Sequence, residues 1–349
     1  MLKKAVFTSI LLFSGQISAE TYIDLYGDSA QNAERILKKY SYEIKQLVED
    51  VDKVVSMANE QKQEKEFIKV TAKKKSLVEK IKKNEHYSFV DFQTIYYPTT
   101  KNYYLTVEVV RNDEKQRLHY VSPKINIQTN KTTKKDLIAK RIKFDELEMR
   151  LMYEHKVDPN NSVCPVYHCV TNFNHPNLKP YLAVFNKGAM LQKDLIKKTL
   201  KEDPSPERRA SAAFLVGHFK DPREIISTLS ASINDRSEVV RNNVMRVIGS
   251  TMLKANISDI ELNPVLSLID SPYTTDRNKA LVILSEAVKS DKNKKIILKS
   301  GGEKLINLLR LKQPNNHDMA YLTLKRISGK NYSDKDIDSW QAWLKTQNV

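Results

Sequence analysis

Apolar positions follow two different periods along this chain. From residue 203 onward they recur three or four apart, as on one face of an α-helix, and they do so in blocks that resemble one another. Asp203 precedes Arg209 by six residues, Asp235 precedes Arg241 by six, and Asp270 precedes Arg277 by seven. An apolar helical run follows each Arg: Ala210 to Gly217, Asn242 to Gly249, and Asn278 to Leu284. A single helical pair cannot bury its own apolar face, so a repeat of about 32 to 36 residues predicts stacked helical pairs. Ser205-Pro206-Glu207 supplies an N-cap, a Pro at the first helical position and an acid in the first turn. Asp221-Pro222-Arg223-Glu224 does the same for a partner helix carrying Ile225, Ile226, Leu229 and Ile233. Further pairs use Val240, Val244 and Val247 with Leu262, Val265 and Leu266, then Leu305, Ile306 and Leu309 with Ala320, Leu324 and Ile327. Gly329 ends the last of these. Ile337, Trp340, Trp343 and Leu344 then share one face of a final helix, so Trp340 and Trp343 are expected to cap the open apolar end.

Before residue 131 the period is mixed. Thr21 to Tyr26 reads as a strand, Ala30 to Val55 as one long helix, and the charged interval Ser56 to Lys75 as a frayed helix or a loop. A short helix over Ser76 to Lys83 follows. Tyr87 to Tyr96, Tyr103 to Arg111 and Arg117 to Val121 are rich in aromatic and β-branched residues and predict an antiparallel meander of three strands. Tyr96, Tyr97, Tyr103 and Tyr104 around Pro98 form an aromatic stripe that serves either sheet packing or a binding surface. Lys131 to Lys135 reads as a linker, and Leu137 to His155 as a helix leading into the repeats. The fold class is thus an α+β N-terminal domain followed by an all-α solenoid. Its divisions are residues 1–19, 20–130, 131–202 (a helical connecting segment) and 203–349.

Charge and the extreme N-terminus place the chain in a compartment. Lys3 and Lys4, the mostly apolar run Ala5 to Phe13, and Ile17-Ser18-Ala19 form the pattern of a secretory signal peptide cut after Ala19. An uncleaved anchor is the alternative, although the apolar run is short of the roughly 20 residues that a spanning helix needs. No later segment is apolar enough to cross a membrane, so a periplasmic or secreted chain is expected. The formal net charge is +16, or +14 once Lys3 and Lys4 are removed. For an exported protein this charge points to an acidic protein, an anionic polymer or lipid rather than to nucleic acid. Lys73 to Lys75 and Lys80 to Lys83 are the densest basic runs, and a solvated helix face accounts for them as well.

The only two cysteines lie in Cys164-Pro165-Val166-Tyr167-His168-Cys169, with His175-Pro176 shortly after. In an oxidising compartment two thiols this close form a disulfide most simply. Reduced thiols, or a metal site from Cys164, His168, Cys169 and His175, are the alternatives.

Asp and Arg spaced ahead of an apolar helix, with Pro at the helix start, resemble the HEAT repeat. The resemblance implies a ladder of hydrogen bonds between neighbouring repeats, formed by Asp203, Asp235 and Asp270 with Arg209, Arg241 and Arg277. The segments Cys164 to Cys169 and Asn174-His175-Pro176-Asn177-Leu178, joined to the Arg209 block, resemble a group of exported bacterial HEAT-repeat proteins, a resemblance that carries no activity with it. The order strand, helix, helix, strand, strand is similar to the POTRA domain, a periplasmic module that works by strand addition. A cystatin-like αβ sandwich is the alternative.

No Ser-His-Asp constellation, nucleotide-binding glycine loop or spaced acid pair marks a catalytic centre, and no motif calls for a cofactor. The pattern favours a non-enzymatic scaffold of the bacterial envelope, or one secreted onward, that binds a protein partner through its helical repeat surface. A binder of anionic envelope polymer or lipid, and a metal or thiol enzyme centred on Cys164, His168, Cys169 and His175, are the competing readings.

Overall fold

A computed structural model of the chain describes residues 20–55, 57, 59–97, 100, 102–121, 135–158 and 163–347. The expected leader 1–19, Pro98 and most of the 131–135 linker lie outside the described residues, as does the side chain of Tyr96. The fold is mostly helical, with a small three-stranded sheet near the N-terminus followed by a helical region.

Three strands, β1 (Thr21–Tyr26), β2 (Tyr87–Tyr97) and β3 (Asn102–Arg111), form one sheet in the order β1-β3-β2. β2 and β3 pair antiparallel, as a hairpin should, but β1 runs parallel to β3. The sheet is therefore mixed, not a meander. Arg117 to Val121 does not supply a third meander strand: Lys115–Tyr120 is a 3-10 helix, and β1 occupies the edge that such a strand would have taken.

One face of the sheet is covered by three helices, α1 (Ala30–Lys39), α2 (Ser41–Val55) and α3 (Glu60–Asn84). Ile36, Ile44, Leu47, Leu77 and Ile81 bury against Leu25, Leu105, Val107 and Val109. The expected single helix over Ala30 to Val55 is broken at Tyr40, whose buried ring donates its hydroxyl to Glu85 Oε1 at 2.9 Å. The charged interval Ser56 to Lys75, expected as a frayed helix or a loop, is from Glu60 onward part of the 25-residue α3. α3 is held from outside itself: Lys73 and Lys80 pair with Asp50 and Glu43 of α2, and Lys74 reaches Asp91 of β2.

The helical region comprises α4 (Leu137–Tyr153), α5 (Lys179–Leu191), α6 (Lys193–Glu202), α7 (Pro206–Val216), α8 (Pro222–Ser230), α9 (Glu238–Ala255), α10 (Asn263–Leu268), α11 (Thr274–Ala287), α12 (Asp291–Leu309), α13 (Pro314–Ser328) and α14 (Ile337–Lys345). Helices α4, α7, α9, α11 and α13 lie side by side in chain order, with α8, α10 and α12 packed behind them and α14 on α12. The caps act as the sequence indicates. Ser205 and Asp221 accept backbone N–H bonds at the starts of α7 and α8, each followed by Pro. One continuous core runs from Phe144 and Phe185 to Trp340 and Leu344.

The second face of the sheet is not exposed. Even-numbered β1 side chains point toward the helices: Tyr26 joins the helical core, and Asp24 accepts the Lys312 and Gln313 backbone N–H groups at 2.7 and 3.1 Å. Gln93 of β2 accepts the Thr274 N–H at 2.7 Å, and the Tyr97 hydroxyl donates to Asn315. The αβ unit thus sits on the loops that precede α11 and α13.

Candidate functional site

Arg209, Arg241 and Arg277 open successive helices of the inner layer and are almost wholly buried. Each donates Nη1 back to the carbonyl six residues earlier: Asp203 at 2.8 Å, Asp235 at 2.8 Å and Ser271 at 2.7 Å. Each also reaches forward to the next helix. Arg209 binds both carboxylate oxygens of Asp235 at 2.9 Å, Arg241 binds Asp276 at 2.7 to 3.0 Å, and Arg277 donates Nε to Asn316 at 2.9 Å. Asp270 stands outside this series. The residue equivalent to Asp203 and Asp235 is Ser271, whose hydroxyl accepts the backbone N–H two residues on, as their carboxylates do. The seven-residue interval was the signal: counting six back from Arg277 lands on Ser271, and the forward carboxylate comes from Asp276 within α11. Asp270 instead pairs with Lys304 at 3.0 Å and faces Arg117.

Where the series reaches its last arginine, the αβ unit supplies the anion. Glu108 of β3, fully buried, binds Arg277 through both oxygens at 2.5 and 2.8 Å and accepts the Thr274 hydroxyl at 2.7 Å. Tyr26 lies under the same guanidinium, 4.0 Å from ring centre to Cζ, and burial pushes its hydroxyl up to about 12. Nothing in the sequence singles out Glu108, a lone acid in an apolar strand.

Cys164 and Cys169 form a disulfide, with S–S 2.06 Å. The loop they close lies over α7 and α9. His168 stacks on Phe214 at 5.2 Å and its Nδ1 is 3.0 Å from Ser250 Oγ, while Lys254 donates to the Cys164 carbonyl at 3.0 Å and to that of Val166. Burial, aided by nearby Arg246 and Arg141, holds His168 down to about 3, so it is neutral. His175 Nδ1 accepts the Asn177 N–H in its own turn. The four residues Cys164, His168, Cys169 and His175 do not converge, and among the described residues no three His, Cys, Asp or Glu are placed to hold a metal ion.

Trp340 is fully buried, donates Nε1 to the Ser333 carbonyl at 2.9 Å, and meets Tyr321, Tyr332 and Trp343 edge-on. With Trp343 it is closed off by protein.

A groove of about 980 Å³ lies at the seam of the two units. β1 forms its floor, α1 one wall, and Asn307, Arg310 and Lys312 at the end of α12 the other. Because the Tyr103 N–H donates to the Glu20 carbonyl, the backbones of residues 20, 22, 24 and 26 face β3, and those of Thr21, Ile23 and Leu25 face the groove. Among the described residues no fourth strand pairs with this edge of the sheet. On the rims, Lys38, Arg310 and Lys312 are exposed against a single exposed acid, Glu34. Gly27 closes the floor at φ +108°, and a Cβ there would lie 2.0 Å from the Val109 carbonyl oxygen, so only glycine allows the chain to turn from β1 into α1.

Comparison of the chain with protein-family models, curated proteins and solved structures returns no match. Among the described residues no helix is long and apolar enough to cross a membrane.

Proposed function

We propose that this chain is a non-enzymatic binding scaffold, exported through its N-terminal segment, in which HEAT-like helical pairs stack as a short solenoid and hold a protein partner at the seam with the αβ unit. The observation that carries the reading is the outward backbone of Ile23 and Leu25 at the floor of a groove walled by both units. An exposed sheet edge offers main-chain donors and acceptors to an extended segment, which gives affinity, while the walls select its side chains. Lys38, Arg310 and Lys312 on the rims favour a segment carrying acidic residues. The helical repeat surface contributes one wall instead of the whole recognition face. A disulfide persists in oxidising compartments, which supports a periplasmic or extracellular setting.

The test is fluorescence anisotropy of the full chain with labelled ten-residue peptides of alternating Glu and Val, against a Lys and Val control. The acidic peptide is expected to bind at low salt. Ile23→Pro removes an outward N–H, a change that an edge strand tolerates, together with a side chain packed on the αβ core, and should abolish binding, as should Arg310→Glu with Lys312→Glu. Binding that survives Ile23→Pro in a folded protein would sink the reading.

A second reading rests on α3, where Phe67 and Ile68 are 62% and 63% exposed between Lys65 and Lys69. That patch suits an anionic lipid or polymer surface, and association with anionic vesicles that falls steeply with salt and is lost in Phe67→Ser/Ile68→Ser would favour it.

A further inference from the structure

Among the described residues Arg246 and Lys279 are half-buried cations that no acid pairs with directly. Residues 239, 242, 246, 250 and 253 share the face of α9 that turns away from the second layer, and the face is open at both ends, where Val239 and Leu253 are exposed. Gly249 approaches α11 so closely that a Cβ would lie 3.0 Å from Val282 Cγ1. One turn earlier on both helices, the same register sets Arg246 opposite Lys279. His168 roofs this place through its contact with Ser250, and Asn243 lines it while donating to the Ala210 carbonyl at 3.3 Å.

The acids nearby are already engaged. Glu148 accepts from the Thr171 N–H and hydroxyl at 2.9 and 2.6 Å, and Asp145 pairs with Arg141 at 2.6 Å. Lys254 is committed to the carbonyls of the disulfide loop. Among the described residues Arg246 makes no ion pair or hydrogen bond, its Nε is buried without a partner, and Lys279 reaches only Asn278 Oδ1 at 2.7 Å. His168 Nε2 is likewise buried and unpartnered. Burial lowers the proton affinity of both cations, and Arg246 adds repulsion at Lys279, which is held down to about 8. Half-buried charges without a directly paired counter-ion are costly, Glu148 attracts Arg246 only without bonding to it, and two charges of like sign side by side are costlier still.

We propose that the face of α9 beside α11 that carries Arg246 next to Lys279, with the neutral donors around them, binds a phosphate-type oxyanion. A guanidinium fork and an ammonium suit a multiply charged tetrahedral anion, which accepts several hydrogen bonds at once. The site is separate from the seam groove and lies beneath the disulfide loop, through His168. A bound anion would add to the attraction that Glu148, held by Thr171, already exerts on Arg246 without bonding to it.

The experiment is isothermal titration of the full chain with inorganic phosphate at low ionic strength, with chloride as the control, beside melting curves. One saturable site and a raised melting temperature are expected for phosphate alone. Lys279→Met and Arg246→Met should each weaken binding about tenfold or more, while raising the melting temperature of the ligand-free protein by removing an uncompensated charge. Lys279→Arg, which keeps the charge, should retain binding and so controls for misfolding. Glycerol 1-phosphate run in parallel separates the sources: affinity equal to or above that of phosphate assigns the site to a phosphate ester headgroup, and weaker affinity to the free anion. Absence of a saturable isotherm, or unchanged affinity in Lys279→Met, overturns the proposal.

Discussion

Arg277 and Glu108 show how much one pair of side chains can decide. Both are fully buried, and each offsets the other's desolvation only while the other is present. Glu108→Gln should therefore cost about 3–5 kcal/mol in urea denaturation, because it strands a buried guanidinium. Replacing both, as in Glu108→Leu with Arg277→Met, removes the stranded charge and should recover most of that loss. A double variant as unstable as the single one would mean that packing, not charge, is at stake. Histidine supplies a second test at this scale. Burial holds His218 down to about 3, with its Nδ1 2.8 Å from Asn186 Oδ1 and its Nε2 buried without a partner. In the unfolded chain its pKa is near the usual 6.5. Above that value both states are neutral and the native stability is complete. As pH falls from about 6.5 toward 3, only the unfolded chain takes up the proton, so stability drops by up to about 1.4 kcal/mol per pH unit. Buried Asp145 and Glu148, whose carboxyl pKa values burial raises, slope the other way, so the comparison must be with His218→Gln. That variant should give a flatter curve between pH 6 and 4. Parallel curves would show that His218 titrates freely in the folded protein.

Elements whose ends are written locally are the ones that the sequence discloses. Ser205-Pro206 and Asp221-Pro222 start α7 and α8 where the caps indicate, and the apolar spacing after Arg209, Arg241 and Arg277 reports buried helices faithfully. Long-range partners are what composition hides. The charged interval up to Lys75 looks like a frayed helix or a loop because its anchors lie elsewhere: Gln63 donates to the Val54 carbonyl, Lys73 pairs with Asp50 of α2 and Lys74 with Asp91 of β2. Parallel pairing of β1 with β3 joins residues some eighty positions apart, whereas the neighbouring segment at Arg117 offers a nearer strand that the fold does not use. The seam groove is hidden for the same reason, since Ile23 and Arg310 meet only in three dimensions. α14 is the converse case, its packed apolar face already marked by Trp340 and Trp343. Trp340→Ala should cost about 3–5 kcal/mol, as expected for a deleted buried aromatic, and should expose the ends of α12 and α13 to a hydrophobic dye such as ANS. A variant with an unchanged urea midpoint would show that α14 is an appendage and not a closing element.

At the scale of the whole molecule, the αβ unit and the helices share a boundary too polar and too specific to open on its own. Asp24 holds two backbone N–H groups before α13, Gln93 holds another before α11, Arg117 reaches the Asp270 carbonyl at 2.9 Å, and Tyr26 buries within the helical core. Separation would leave Glu108 and Arg277 without partners in apolar surroundings, so neither unit is stable with its face stripped. The chain should therefore unfold in a single cooperative transition despite its two architectures. Its two tryptophans, both in α14, report the end of the helical region farthest along the chain, and amide exchange at Val107 reports the sheet. Both probes should give the same midpoint in urea, and Glu108→Gln should lower both together. Reducing the Cys164–Cys169 bond opens only a small loop over α7 and α9 and should cost about 2 kcal/mol on the chain-entropy model, without splitting the transition. Two separated midpoints, with only the sheet probe moved by Glu108→Gln, would show that the seam is a hinge, and a groove floored by β1 would then open and close instead of standing preformed.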